Sequence, residues 1–280
     1  MTNMQLFHDV SNDCSRNTTE KYSTSFFSSI KLLSPALRQP IFNIYGFVRF
    51  ADEIVDTFHD YDKELLFQDF KKETYIAIER KISLNPILNS FQLTVNQYNI
   101  DSSLIDAFLY SMELDLGKRN YDKQGYDEYI YGSAEVVGLM CLYVFCNGDQ
   151  SQYEKLKPGA RSLGAAFQKV NFLRDIKADY EGLNRTYFPN CDFKNFSLKD
   201  KELIEADIQN DFDKAYQSIL HLPLQARFGV YVAYKYYLSL FKKIKVVPPQ
   251  KIVQQRIRIP DYGKMYILAK AGIRSQLNML

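Results

Sequence analysis

The chain has no tryptophan, and only 12 glycines, 9 prolines and 4 cysteines in 280 residues. Cys14, Cys141, Cys146 and Cys191 show no CxxC spacing, so neither a zinc site nor a disulfide framework is indicated and a reducing cytoplasm is expected. Histidine is scarcer still. None of His8, His59 and His221 follows a glutamate by three residues, which argues against the Glu-x-x-His pairs of a di-iron bundle. The net charge is only +2 and the lysines are spread along the chain, so no nucleic-acid partner is expected. Residues 1–16 are polar and lack the apolar stretch of a signal peptide. The longest apolar run, residues 136–145, falls short of the roughly 20 residues that a bilayer span needs. No glycine-rich phosphate loop, βαβ rhythm or fixed-period repeat is present.

Aromatic side chains are abundant, with 21 tyrosines and 20 phenylalanines. That supply can fill a large core or line a large apolar cavity. Because turn-formers are few, the segments between them are long, and most show helical spacing. Ser34 and Pro35 read as an N-cap followed by proline at the first helical position, opening a helix that runs to about Phe58. Further helices are predicted over 63–82, 102–116, 126–145, 152–156, 160–180, 199–220, 222–244 and 262–278. Loops are predicted at Asn85-Pro86, at 147–149 and at 182–195. The last holds Asn184, Arg185, Tyr187 and Pro189, and its length fits either a lid or a plain connector. One all-α domain covering 1–280 is the reading.

Two stretches carry chemistry. On a helix, residues three and four apart share a face. Tyr45, Arg49, Asp52 and Asp56 therefore form one polar stripe, with Arg38 two turns earlier on the same side, opposite Ile44, Phe47 and Val48. Gln168, Asn171, Asp175 and Asp179 form a second, with Arg174 at its border. In each stripe two aspartates stand one turn apart, about 6 Å along the axis. A single such spacing is commonly a solvated surface face. Here both lie in otherwise apolar helices, each with an arginine and a neutral polar residue in register. Neighbouring carboxylates repel unless a cation lies between them. Magnesium, with manganese as a substitute, suits them: it takes oxygen ligands and is usually held by one or two carboxylates plus phosphate and water. Arginine forks suit phosphate oxygens. Stripes facing each other would pin a diphosphate. The carbocation left when it departs calls for a dry aromatic pocket.

These residues resemble the squalene/phytoene synthase family. Asp52, Glu53, Ile54, Val55 and Asp56 are similar to its first aspartate-rich motif, led by Tyr45 to Arg49. Asn171 to Asp179 is similar to the second, Asn-x-x-Arg-Asp-x-x-x-Asp, with Gln168 in its place. Tyr22 to Phe26 resembles the N-terminal segment whose serines, Ser23 and Ser25 here, approach a diphosphate. Its usual first residue is histidine where this chain has Tyr22, which is assigned no role. Tyr129 to Met140 resembles the central cavity-lining helix, with Glu135 where many relatives have a small residue. Arg185, Tyr187 and Pro189 resemble a flap, and Tyr237 and Arg256 a late tyrosine and arginine. The resemblance spans about 20–265.

The resemblance implies an isoprenoid-synthase helical bundle around a central cavity. It implies head-to-head joining of two prenyl diphosphates through a cyclopropyl diphosphate. Metal ligands would be Asp52, Asp56, Asn171, Asp175 and Asp179. Ser23, Ser25, Arg49, Gln168, Asn171, Arg174 and Arg256 would bind diphosphate, and Tyr45, Arg49, Tyr129, Arg174 and Tyr237 would serve the reacting centre. Phytoene formation from geranylgeranyl diphosphate is the leading expectation. A C30 synthase using farnesyl diphosphate is the alternative, and a non-catalytic prenyl-lipid-binding or assembly protein a distant one. No nicotinamide cofactor is expected for phytoene formation, and no hydrophobic C-terminal anchor is seen. Peripheral membrane contact is expected from the greasy substrates; oligomeric state is not legible. Packing alone could also explain Tyr129 and Tyr237, and Gly132 and Gly138 could serve either close helix approach or cavity room. His59 reads as an exposed loop residue.

Overall fold

The computed structural model describes residues 2–117, 121–182, 187–189, 191, 196–254 and 256–276. Among them every regular element is helical. In chain order these are α1 (Asn3–Tyr22), α2 (Thr24–Ile30), α3 (Pro35–Asp56), α4 (Lys63–Arg80), α5 (Pro86–Tyr98), α6 (Ser102–Gly117) and α7 (Lys123–Ile130). After a π-helical turn, Tyr131–Glu135, come α8 (Val136–Cys146), α9 (Gln150–Gly182), α10 (Leu198–Ile219), α11 (Leu224–Lys245), α12 (Pro249–Ile252) and α13 (Asp261–Gln276).

The apolar face of α3 explains its central place. It buries Ile44, Phe47, Ala51 and Val55 against α1, α5, α6 and α8. Phe47 stacks on Phe91 of α5 at 3.8 Å between ring centres, with Phe70 and Phe108 close by. On the other side, α9 packs along α10 and α8 and touches α11. Glycine allows the closest crossing. A Cβ on Gly164 of α9 would stand 2.5 Å from the Ala134 carbonyl of the π turn, and one on Gly138 of α8 would stand 2.8 Å from the Ala160 carbonyl of α9. Gly138 also lines the cavity, so it serves both of the roles considered for it.

Several local expectations change. Residues 150–182 form one helix, not two pieces, although Pro158 removes the N–H that would reach the Glu154 carbonyl. Packing along α10 overrides that local break. Asn85 is a helix cap: its side chain accepts from the Ile87 and Leu88 N–H groups, with Pro86 at the first helical position. Ser34 makes no side-chain cap; its N–H donates to the Gln225 carbonyl at 2.9 Å and ties α3 to α11. The loop at 147–149 is as expected, with Asn147 left-handed at φ 46° and Gly148 at φ 91°.

The largest omission is α1. It buries Ser11, Ser15 and Thr19 while Met4, Leu6 and Val10 are exposed, the inverse of an ordinary amphipathic helix. The rod Lys123–Cys146 is long and apolar enough to cross a membrane by length and composition, and its most apolar stretch is 61% buried inside the bundle, as a core helix is.

Candidate active site

A cavity of about 320 Å³ lies between α2, α3, α8, α9, α10 and α11. Its wall is mostly aliphatic and aromatic, including Ile41, Leu142, Phe145, Leu163 and Phe167. Both polar stripes border this one cavity. Tyr45 reaches it from α3, Gln168 and Asn171 from α9, and Tyr237 from α11. Phe26 of α2 knits them together, 6.0 Å from Tyr45 and 5.6 Å from Tyr237 between ring centres. Phe167 stacks on Tyr237 at 3.9 Å. Arg49 and Asp52 act electrostatically on Tyr45, and Arg174 and Asp175 on Tyr237, so the charged members of both stripes adjoin this tyrosine layer without lining the cavity themselves.

In this charged region, arginines hold the aspartates. Arg49 bonds Asp52 at 2.5 Å and also pairs with Glu53, a partner that the spacing alone did not single out. Arg174 contacts Asp175 at 2.5 Å, and Arg256, arriving from the segment after α12, meets the same carboxylate at 2.8 Å. Arg256 thus joins the second stripe across 81 residues of chain. Asp56 is half-buried, one turn beyond Asp52. Asp179 lies on the backbone of α9, but its side chain, like Asn184 and Arg185 of the predicted flap, falls outside the described residues.

The two tyrosines at the cavity are embedded in hydrogen bonds. Tyr45 bonds Ser23, and burial pushes its hydroxyl up to about 12 despite the neighbouring Arg49 guanidinium. Tyr237 bonds Asn171 and Arg174, and burial raises its hydroxyl as well. Gln168 donates weakly to Ser133 of the π turn at 3.4 Å. Ser25 is half-buried on α2 and does not line the cavity.

Tyr129 stands elsewhere. It is fully buried, its hydroxyl donates to Asp115 at 2.6 Å, and it does not line the cavity. Its ring sits among Tyr121, Tyr187 and Phe172, behind the α9 stripe. The hydroxyl expected at the reacting centre is therefore committed to a buried carboxylate that sequence reading did not pair with it. Arg38 is half-buried, and its Nε donates to the Leu33 carbonyl at 2.8 Å. Glu135 turns to Arg161 at 2.5 Å and does not line the cavity. His59 is exposed, as expected.

The donor set fits a hard cation. Asn171 Oδ1 is buried and lacks a hydrogen-bond partner, an uncompensated acceptor beside Asp175. Arg49 Nε is likewise a buried donor without an acceptor, and such a donor suits an anion. Among the described residues no three carboxylates, histidines or cysteines converge into a closed cage. An open set of carboxylate and amide oxygens matches magnesium, which is commonly completed by phosphate and water.

The sequence profile of the squalene/phytoene synthase family matches residues 19–262. The chain belongs to this family. A phytoene synthase of Arthrospira platensis is 26% identical over 290 positions, covering 94% of this chain and 92% of that one. A presqualene diphosphate synthase of Rhodopseudomonas palustris is 26% identical over 169 positions, 60% of this chain and 58% of that relative. The crystal structure of a dehydrosqualene synthase in complex with ligand superposes with a TM-score of 0.80 at 18% identity, covering 98% of both chains, and shows the shared fold. The family is one of prenyltransferase-type enzymes that condense prenyl diphosphates head-to-head.

Proposed function

We propose that this protein joins two molecules of geranylgeranyl diphosphate head-to-head, through a cyclopropyl diphosphate, to form phytoene. The observation that carries the proposal is the meeting of both polar stripes at one apolar cavity. A diphosphate belongs in the charged region, and a prenyl tail belongs among the aliphatic and aromatic side chains inside. The product assignment leans on the phytoene synthase relative that aligns along 94% of the chain. A C30 reading with farnesyl diphosphate is supported by the presqualene diphosphate synthase at equal identity.

Asp52, Asp56, Asn171, Asp175 and Asp179 would hold magnesium, or manganese in its place. When bound, the metal neutralises charge on the departing diphosphate. Arg49, Arg174 and Arg256 exchange carboxylate contacts for phosphate oxygens, where their forks bind in bidentate fashion. Gln168, Ser23 and Ser25 add neutral donors. Tyr45 and Tyr237 stay protonated at neutral pH, so they donate hydrogen bonds toward the charged region and present ring faces to the cavity. The enclosed wall keeps water from the allylic cation formed in the first ionisation. Attack by the second chain's double bond and proton loss give the cyclopropyl diphosphate. Its ionisation, rearrangement and final proton loss give the hydrocarbon.

The test is the product mass when purified protein, magnesium and both C15 and C20 diphosphates are incubated. A C40 hydrocarbon is expected. A C30 product alone would sink the phytoene assignment and leave the class intact. Asp52→Ala and Asp175→Ala should each lower turnover by about a hundredfold or more, as the loss of charge stabilisation does elsewhere. Full activity in both would refute the proposed site.

A further inference from the structure

Tyr22, to which the sequence assigns no role, occupies a corner that touches the site from outside. It is the last residue of α1, and Ser23 closes α1 and opens α2. The Ser23 N–H donates to the Thr19 carbonyl at 2.9 Å, and its hydroxyl accepts from the Phe26 N–H at 3.3 Å. This doubly bonded corner reaches two residues of α3 that stand one turn apart. Ser23 bonds Tyr45. The Tyr22 ring faces the Arg49 guanidinium, with Cζ 4.4 Å from the ring centre.

The placement of that corner is built into the packing of α1. Ser15 bonds Ser90 of α5 at 2.6 Å, Ser11 accepts from Asn89 at 2.9 Å, and Asn12 accepts from Asn43 of α3 at 3.1 Å. Such bonds are directional, so they set the register of α1 more sharply than an apolar seam would. The crossing is also close. A Cβ on Gly46, next to Tyr45, would lie 2.9 Å from Ser15 Cβ. A zipper of small polar residues thus delivers the end of α1 onto the first stripe.

We propose that Tyr22 is a positioning residue for Arg49. Asp52 and Glu53 hold the ends of the guanidinium fork, and both lie on the same helix as Arg49. The Tyr22 ring is a contact supplied from another helix, and it covers one face of the planar cation. Arginine loses considerable side-chain freedom when fixed, and an aromatic face lowers that cost by holding the plane before a diphosphate arrives. Tyr22 itself is 51% exposed, so its ring is not a core packing element. This inference rests on the reading that Arg49 meets a diphosphate.

The experiment compares wild type with Tyr22→Phe, Tyr22→Leu and Tyr22→Ala. Affinity for inorganic diphosphate with magnesium is measured by calorimetry, and KM and kcat with the prenyl diphosphate. Thermal unfolding checks that each variant is folded. The Phe variant keeps the ring face and should bind within about twofold of wild type. Leu and Ala should weaken diphosphate binding by between about two- and thirtyfold, the span of a partly exposed cation–π contact, with KM rising more than kcat falls. Wild-type affinity in the Leu variant, or equal loss in Phe and Ala, would overturn the positioning role. Absence of diphosphate binding by wild type would instead remove the underlying reading of the site, a result separable from both.

Discussion

Tyr45 keeps its proton far above neutral pH because burial disfavours the phenolate more than Arg49 favours it. The consequence for stability has a definite sign. An unfolded tyrosine ionises near pH 10, whereas Tyr45 in the folded protein ionises at about 12. The folded state therefore holds a proton that the unfolded state has released. The stabilisation linked to the neutral hydroxyl is complete below about pH 10 and is lost as pH rises toward 12. Denaturant unfolding should show stability falling across that window, and Tyr45→Phe should make the fall shallower. An unchanged slope in the Phe variant would contradict the burial argument. Among single residues, the stripe positions were readable because helical spacing alone puts them on one face. The pairing of Tyr129 with Asp115 was not, because a contact between α7 and α6 depends on how those helices cross.

At the scale of elements, α9 and α10 show how a charged seam can tie a bundle. Lys169 of α9 lies between Asp211 and Asp207 of α10, at 2.7 and 2.5 Å. Lys169 and Asp211 are almost fully buried, while Asp207 remains half-exposed. Removing the lysine would strand Asp211 in a poor solvent for charge. Lys169→Ala is expected to cost about 3 kcal/mol, the scale for breaking a buried pair from one side. Chemical denaturation would measure this, and a cost below about 0.5 kcal/mol would show the seam to be effectively solvated. Sequence spacing located most helices because apolar residues recur at helical intervals. It failed at Pro158, where packing outweighs a local break. It also failed at α1, where the buried face is polar and the exposed face apolar. No reading of hydrophobic period recovers a helix that docks by hydrogen bonds.

The whole molecule separates stability from the proposed chemistry. Its apolar core runs through α3, α5, α6, α9 and α11 and includes none of the charged stripe residues. Chelation of divalent ions is therefore expected to abolish turnover while the helical circular dichroism signal stays unchanged, with activity returning on addition of magnesium. Loss of helicity on chelation would mean that the fold depends on the ion.

Local spacing in the sequence determined the all-helical class and the two aspartate stripes, because helical periodicity is a local property. The aromatic supply left core and cavity both open, and the expectation of a central cavity came from the family resemblance. Tertiary structure decided what the stripes face. Arg256 returns across 81 residues to Asp175, Tyr22 is carried onto Arg49, and Tyr129 is turned away from the cavity to Asp115. Contacts between distant elements depend on crossing angles and close approaches, which small residues such as Gly46 and Gly164 permit and no linear pattern records.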